Sequence, residues 1–221
     1  MRPAHLIPLL AAFALSSCSL FHGKPQPPLQ IPPAVPSKPS APLGPDVAVM
    51  YIKIGNEKTP QRVVIGLYDD AAPQTVASLK ELCRRKFYNG MRFHRVFEHY
   101  LVQTGDPYSK HGDSDKSGTG GPGYTLPAEL KRKHVRGAVA MSRLDDKVNP
   151  TRASNGSQFY VCLVPLPQLD GKYTVFGEVI EGIEVLDYIS GRPTNSNDFP
   201  LEKIVITSIK IEPRVAAGAP L

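Results

Sequence analysis

The run Phe93-His94-Arg95-Val96-Phe97-Glu98-His99-Tyr100-Leu101-Val102-Gln103-Thr104-Gly105-Asp106 holds the side chains best placed to do chemistry. Side chains alternate along an extended chain, so Arg95 lies in one strand-like run while Leu101 and Gln103 point the same way in the next. An arginine, an amide and apolar groups are then expected to line one wall, the alternative being that Arg95 makes only a surface salt bridge. A guanidinium donates hydrogen bonds and never loses its proton, so the chemistry on offer is electrostatic rather than covalent. Other constellations are missing. No His-Glu-x-x-His or paired Cys-x-x-Cys points to a metal, and no Gly-x-Ser-x-Gly elbow is present. His94, His99, His111 and His134 lack ligand spacing and read as solvated or structural. The cluster Gly118-Thr119-Gly120-Gly121-Pro122-Gly123 lacks the Gly-Lys-Ser/Thr ending of a phosphate loop, and Pro122 removes a backbone donor.

The elements that must position this wall are mostly short strands. Val47 to Ile54 alternates and is β-branched, as does Arg62 to Tyr68 after Pro60. Pro73 opens a helix with Val76, Leu79, Leu82 and Cys83 on one face, and Asn89-Gly90 turns the chain. Strand-like runs follow at Met91 to Val96, Tyr100 to Thr104, Gly137 to Met141, Gln158 to Val164 and Tyr173 to Val179. Gly182 to Ile189 reads as a second helix stopped by Gly191, and Ile204 to Ile211 as a last strand. There is no βαβ alternation and no internal repeat, so the pattern points to a closed barrel or a sandwich.

Composition bounds the rest. The chain has 221 residues, 41% hydrophobic and 21% charged, with 23 prolines and no tryptophan. That is ordinary globular usage, and no apolar run reaches the 18 or so residues a spanning helix needs. The net charge is +6, but Arg2, Lys24, Lys38 and Arg214 lie in the flanks and residues 46–213 carry only +2. A near-neutral body is not a nucleic-acid footprint, and no nucleic-acid partner is expected. Cys83 and Cys162 are expected as buried free thiols.

The N-terminus reads as an address. Arg2 is a minimal positive region, and Leu6 to Leu15 an apolar stretch too short to span. Leu15-Ser16-Ser17-Cys18 resembles the bacterial lipobox, in which the cysteine thiol takes a diacylglycerol before cleavage. Residues 1–17 are therefore expected as a lipoprotein signal, and Cys18 as the lipidation site that ties the chain to a membrane. Nine prolines among residues 23–45 favour extended polyproline II. At ~3.1 Å per residue this makes a spacer of roughly 70 Å. The expected organisation is 1–17 signal, 18–45 lipidated cysteine and tether, 46–213 folded domain and 214–221 flexible tail.

Phe93-His94-Arg95-Val96 followed by Gln103-x-Gly105-Asp106 resembles the signature of the cyclophilin-type peptidyl-prolyl isomerases. Three more blocks agree in order: Gly118-Thr119-Gly120-Gly121, Asn155-Gly156-Ser157-Gln158-Phe159-Tyr160, and Leu169-Asp170-Gly171-Lys172-Tyr173-Thr174-Val175-Phe176-Gly177. The similarity covers about residues 47–211. It implies a mainly β fold, a closed eight-stranded antiparallel β-barrel capped by two α-helices. It also implies cis-trans isomerisation of X–Pro bonds without a cofactor or metal, acting on proline-containing polypeptides. Arg95 would be the catalytic arginine and Gln103 the amide that orients the substrate. Tyr100, Leu101, Tyr160, Leu169 and Tyr173 would form the proline pocket, and Gly118, Ser142, Arg143 and Gln158 the rest of the groove. With the lipobox, the resemblance implies an exported, lipid-anchored form in a bacterial envelope, facing the periplasm and monomeric. The rival reading is a tethered proline-peptide binding module or holdase with weak catalysis.

This chain also departs from the resembled pattern. Tyr100 and Tyr160 replace phenylalanines, and Leu101 replaces a methionine. Tyr173 stands where many eukaryotic members have histidine, and Gln168 where they have tryptophan. Ser142-Arg143 replaces Ala-Asn. Segments 107–117 and 144–154 are both longer than in the most familiar eukaryotic pattern and are expected to border the groove.

Overall fold

The computed structural model describes residues 39–217. The expected signal, Cys18 and the part of the tether up to residue 38 lie outside the described residues. Eight strands and two helices follow one another as β1 (Asp46–Ile54), β2 (Gln61–Leu67), α1 (Pro73–Arg84), β3 (Arg95–Phe97), β4 (Leu101–Thr104), β5 (Ala138–Met141), β6 (Phe159–Cys162), β7 (Val175–Glu181), α2 (Ile183–Ser190) and β8 (Ile204–Pro213). Short 3-10 turns lie at Pro107–His111 and Pro167–Leu169. Among the described residues no helix is long and apolar enough to cross a membrane.

The strands form a single antiparallel sheet in the order β3-β4-β6-β5-β7-β2-β1-β8. The expectation of a closed barrel is corrected: the sheet is an open half-barrel, with no ladder between its edges β3 and β8. The physical reason lies in the segment expected as a strand over Met91 to Val96. Only Arg95–Phe97 joins the sheet through β4. The residues before it turn to β8 instead, where Arg92 forms an isolated bridge with Val205. Backbone bonds there run from Ile206 N to Met91 O at 2.8 Å and from Phe93 N to Ile204 O at 3.2 Å. The chain thus spans the gap between the edges without extending β3 into a ladder.

β1 shows how the sheet is covered. Val47 and Val49 share one face with Val64 and Ile180, packed under Leu43, Tyr51 and Ala217. Ala48, Met50 and Ile52 point the other way by alternation and are buried as well. Leu43 belongs to a stretch assigned from its prolines to the tether. Here residues 40–45 lie on the sheet: Gly44 N donates to Leu67 O at 2.8 Å, and Arg214 N donates to Pro45 O at 2.8 Å. Ser40 N donates to the Glu178 carboxylate at 3.1 Å, and the Tyr68 hydroxyl donates to the same oxygen at 2.5 Å.

α1 begins at Pro73, whose missing N–H costs nothing in a first turn. It buries Val76, Leu79, Leu82 and Cys83 and packs against β8. α2 buries Val185, Leu186 and Ile189 and packs against β2, β3 and β4. Cys83 and Cys162 are buried and unpaired, and burial pushes both thiols up to about 12.

The turn into α2 is made by Gly182 at φ +86°, where a Cβ would stand 2.4 Å from Arg62 O. Gly182→Ala meets both a left-handed backbone and a backbone clash. The strained backbone alone costs about 1–3 kcal/mol, and each kcal/mol lowers the melting midpoint by roughly 2–4 °C in a domain of this size. Gly171, at φ +67° with open space around it, is the control for backbone strain without a clash. Thermal melts should show a larger loss for Gly182→Ala than for Gly171→Ala, and equal losses would refute the clash.

Candidate active site

One transverse row of the sheet assembles the wall. Arg95 on β3 is the partner of Gln103 on β4, Gln103 that of Tyr160 on β6, and Tyr160 that of Ala140 on β5. Directly opposed residues of antiparallel strands share a face, so arginine, amide and phenol stand side by side. Two residues along, Phe97 opposes Leu101 on the same face. Leu101 and Tyr160 belong to an apolar cluster that Phe97, Leu169 and Tyr173 join from its edge. Tyr100 stands at the rim, edge-on to Phe97 with centroids 6.5 Å apart. Its hydroxyl accepts a bond from Gln168 Nε2 at 2.8 Å.

The polar half opens into a cavity of about 640 Å³ lined by His94, Arg95, Gln103, Gly118, Ser142 and Arg143. Asp113, Ser114, Asp115, Ser117 and Asn197 complete its walls. The longer segment 107–117 therefore does border the groove. It is fastened there by Asp113, whose carboxylate accepts from Asn195 at 2.6 Å and from Asn197 at 3.2 Å. Arg95 is exposed, with its guanidinium 4.7 Å from the Phe97 ring centre. Among the described residues it has no ion-pair partner, so its donors remain available to a ligand.

Gln103 is oriented by the neighbouring amide of Gln158. Gln158 Nε2 donates to the carbonyls of Gly118 at 2.9 Å and Gly120 at 2.7 Å. Carbonyls only accept, so the Gln158 oxygen must face the other way, where it receives Gln103 Nε2 at 3.0 Å. Gln103 is left with its oxygen as the acceptor to present to a peptide N–H. Gln158, placed in the groove by the resemblance, is buried beside Gln103 under the glycine loop. The glycine loop is itself pinned by buried Asp106, which accepts from the backbone N–H groups of Tyr108 and Gly118. At Gly105, φ is +88° and a Cβ would lie 2.3 Å from Ser157 O, so only glycine lets these two strand ends meet.

Two partners of the wall escaped the sequence reading. His134 is buried beneath Tyr160, with rings stacked at 6.1 Å and 10°. Its Nδ1 faces Asp170 Oδ1 at 2.9 Å and its Nε2 faces the Tyr160 hydroxyl at 3.0 Å. A carboxylate accepts, so Nδ1 carries the proton and the phenol donates to Nε2. The signal lay in the motif around Asp170, but its pairing with His134 does not follow from spacing. Phe97 is the other: its ring supports Arg95, and alternation alone places it on that face.

Burial lowers the pKa of His134, against an opposing pull from Asp170. Burial likewise lowers that of His94, partly offset by Asp106 and Gln158. Burial opposes ionisation of Asp170, but the bonds from the His134 backbone and ring bring its carboxyl below the usual range. For both histidines the unfolded chain takes up protons first as pH falls. Their stabilising contribution is complete above the free imidazole value of about 6.5 and declines below it. The urea midpoint should therefore fall between pH 7.5 and 5. A flat or rising midpoint over that window would show that the imidazoles are not held neutral.

Known proteins resemble this chain in sequence and in fold. The sequence model described as cyclophilin type peptidyl-prolyl cis-trans isomerase matches residues 49–211. A peptidyl-prolyl cis-trans isomerase of Helicobacter pylori is 39% identical over 132 residues, covering 58% of this chain and 73% of that one. Peptidyl-prolyl cis-trans isomerase-like 3 of Gallus gallus is 38% identical over 153 residues, covering 67% and 89%. In fold, the chain is similar to a Cryptosporidium parvum cyclophilin type isomerase crystallised in the presence of the dipeptide Ala-Pro. The TM-score is 0.64 at 24% identity, over 75% of this chain and 98% of that one.

Proposed function

We propose, from the premise that the chain belongs to the cyclophilin-type peptidyl-prolyl cis-trans isomerases, that Arg95 lowers the barrier to X–Pro rotation and Gln103 holds the peptide while one side of the bond turns. The observation that carries this reading is the register of Arg95 with Gln103 and Tyr160 across three strands. An X–Pro amide resists rotation by ~18–20 kcal/mol because resonance stiffens its C–N bond. Uncatalysed exchange takes tens to hundreds of seconds, slow enough to limit folding.

A site accelerates rotation by favouring the twisted amide over the planar one. Twisting localises a lone pair on the proline nitrogen, and a guanidinium with free donors can bond to it. Leu101, Tyr160, Leu169 and Tyr173 hold the ring and keep water away, which strengthens that contact. The Gln103 oxygen accepts a substrate N–H. No covalent step or redox change occurs.

Arg95 makes its contact mainly in the transition state. Arg95→Ala should then lose on the order of 10²–10³ in kcat/KM for cis-to-trans exchange of an Ala-Pro peptide. The melting midpoint should hold, because the side chain is exposed. Arg95→Lys should recover little, because an ammonium lacks the planar fork. A folded Arg95→Ala protein within about threefold of wild type, well short of the loss of one such donor, would instead favour the binding module.

The setting of this activity is a second part of the proposal. Leu15-Ser16-Ser17-Cys18 and the proline-rich stretch after it support a lipid-anchored envelope protein whose substrates are exported polypeptides. Cys18→Ser removes the thiol that accepts the diacylglycerol. Metabolic labelling with a radioactive fatty acid should mark the wild-type protein and leave the variant unmarked and unprocessed. Wild-type protein that is cut at another bond and carries no acyl label would refute the anchor.

A further inference from the structure

The second arginine of the cavity is built quite differently from Arg95. The Arg143 side chain is only 4% exposed. Its Nε donates to Lys172 O at 2.7 Å, and its Nη1 donates to Leu144 O at 2.8 Å and pairs with Asp146 at 2.6 Å. Its guanidinium lies over the Tyr173 ring, 4.6 Å from the centre. Asp146 also faces Arg152 at 3.4 Å, and Arg152 in turn donates to Gly171 O at 2.9 Å. These contacts join the longer segment 144–154 to the loop 170–173. Beyond Tyr173 the chain continues inward, edge-on to Tyr160 at 5.9 Å and 82° and to His134 at 6.4 Å and 88°.

With Nε and Nη1 committed in this way and little of the side chain exposed, Arg143 has only Nη2 left to offer a substrate. We propose that Arg143 is a positioning residue that locks segment 144–154 and the ring of Tyr173 into one rigid wall of the groove. That wall sets affinity for the proline peptide, and turnover stays with Arg95. The inference rests on the isomerase reading and adds to it. Two departures from the eukaryotic pattern, arginine for asparagine and tyrosine for histidine, then become a single device. Tyrosine offers an electron-rich face to a cation, and only a guanidinium has enough planar donors to serve Lys172 O, Leu144 O and Asp146 together. An asparagine is too short to span these groups.

The test is steady-state isomerisation of an Ala-Pro peptide by the purified full-length protein, with KM and kcat separated. Arg143→Ala should raise KM about thirtyfold, the size of one desolvated cation–π contact, and leave kcat within about twofold. Arg143→Lys should stay close to Arg143→Ala, because the point charge cannot reproduce the fork. Asp146→Asn, on the exposed rim, keeps the fold and should raise KM by a smaller factor. The double variant should be no worse than Arg143→Ala, since both changes cut one chain of contacts. Unchanged KM in all variants, full rescue by lysine, or a fall in kcat at constant KM would each overturn the proposal. A wild-type protein that fails to accelerate exchange would refute the isomerase reading instead.

Discussion

Two backbone carbonyls, those of Gly118 and Gly120, decide which way the amides of the groove face. They can only accept, so they capture the Gln158 NH₂ group and turn its oxygen toward Gln103. Gln103 must answer with its own NH₂ group, and its oxygen is what remains for a peptide. The carbonyls hold position because Asp106, buried with no exposure, binds the backbone N–H of Gly118. A buried carboxylate is costly unless bonded, so the glycine loop and the acidic side chain fix each other. The orientation of one cavity-lining amide is inherited from buried groups beside it.

The two arginines of the cavity divide the work by their burial. Arg95 is supported from below by the Phe97 ring and leaves its donors uncommitted. Its charge stays hydrated until a ligand displaces water, so the free protein carries no large desolvation cost. Arg143 is the opposite, with carbonyls, a carboxylate and an aromatic face around it. A guanidinium removed from water needs such a shell. The residue proposed to act on a substrate and the residue proposed to shape the wall have the same functional group in different surroundings.

The floor of the apolar pocket is a phenol rather than a phenyl ring, and that brings an obligation. The Tyr160 hydroxyl is buried and must find a partner. His134 meets it, and Asp170 fixes the tautomer of His134. The same Asp170 oxygen accepts the His134 backbone N–H at 2.8 Å. A neutral imidazole is therefore part of the packing of this protein, and acid acts on its stability before most carboxylates titrate.

Strand and helix positions were legible in the sequence because they rest on local periodicity. β-branched alternation marked β1 and β2, Pro73 marked the start of α1, and apolar spacing marked α2. The four motif blocks likewise carried the family and the pair Arg95 and Gln103. What the sequence did not determine depends on contacts between residues far apart in the chain. Closure stops short because residues 91–93 give β8, more than a hundred residues away, a single bridge rather than a ladder, and β3 is only Arg95–Phe97. Gln158 is tied to the glycine loop because two loop carbonyls meet its NH₂ group, and Arg143 bonds to the loop because Lys172, Asp146 and Tyr173 converge on it. A residue type and its period say which face a side chain takes. Which donors and acceptors meet it there depends on how distant segments fold together, and that choice sets which polar groups remain free to act.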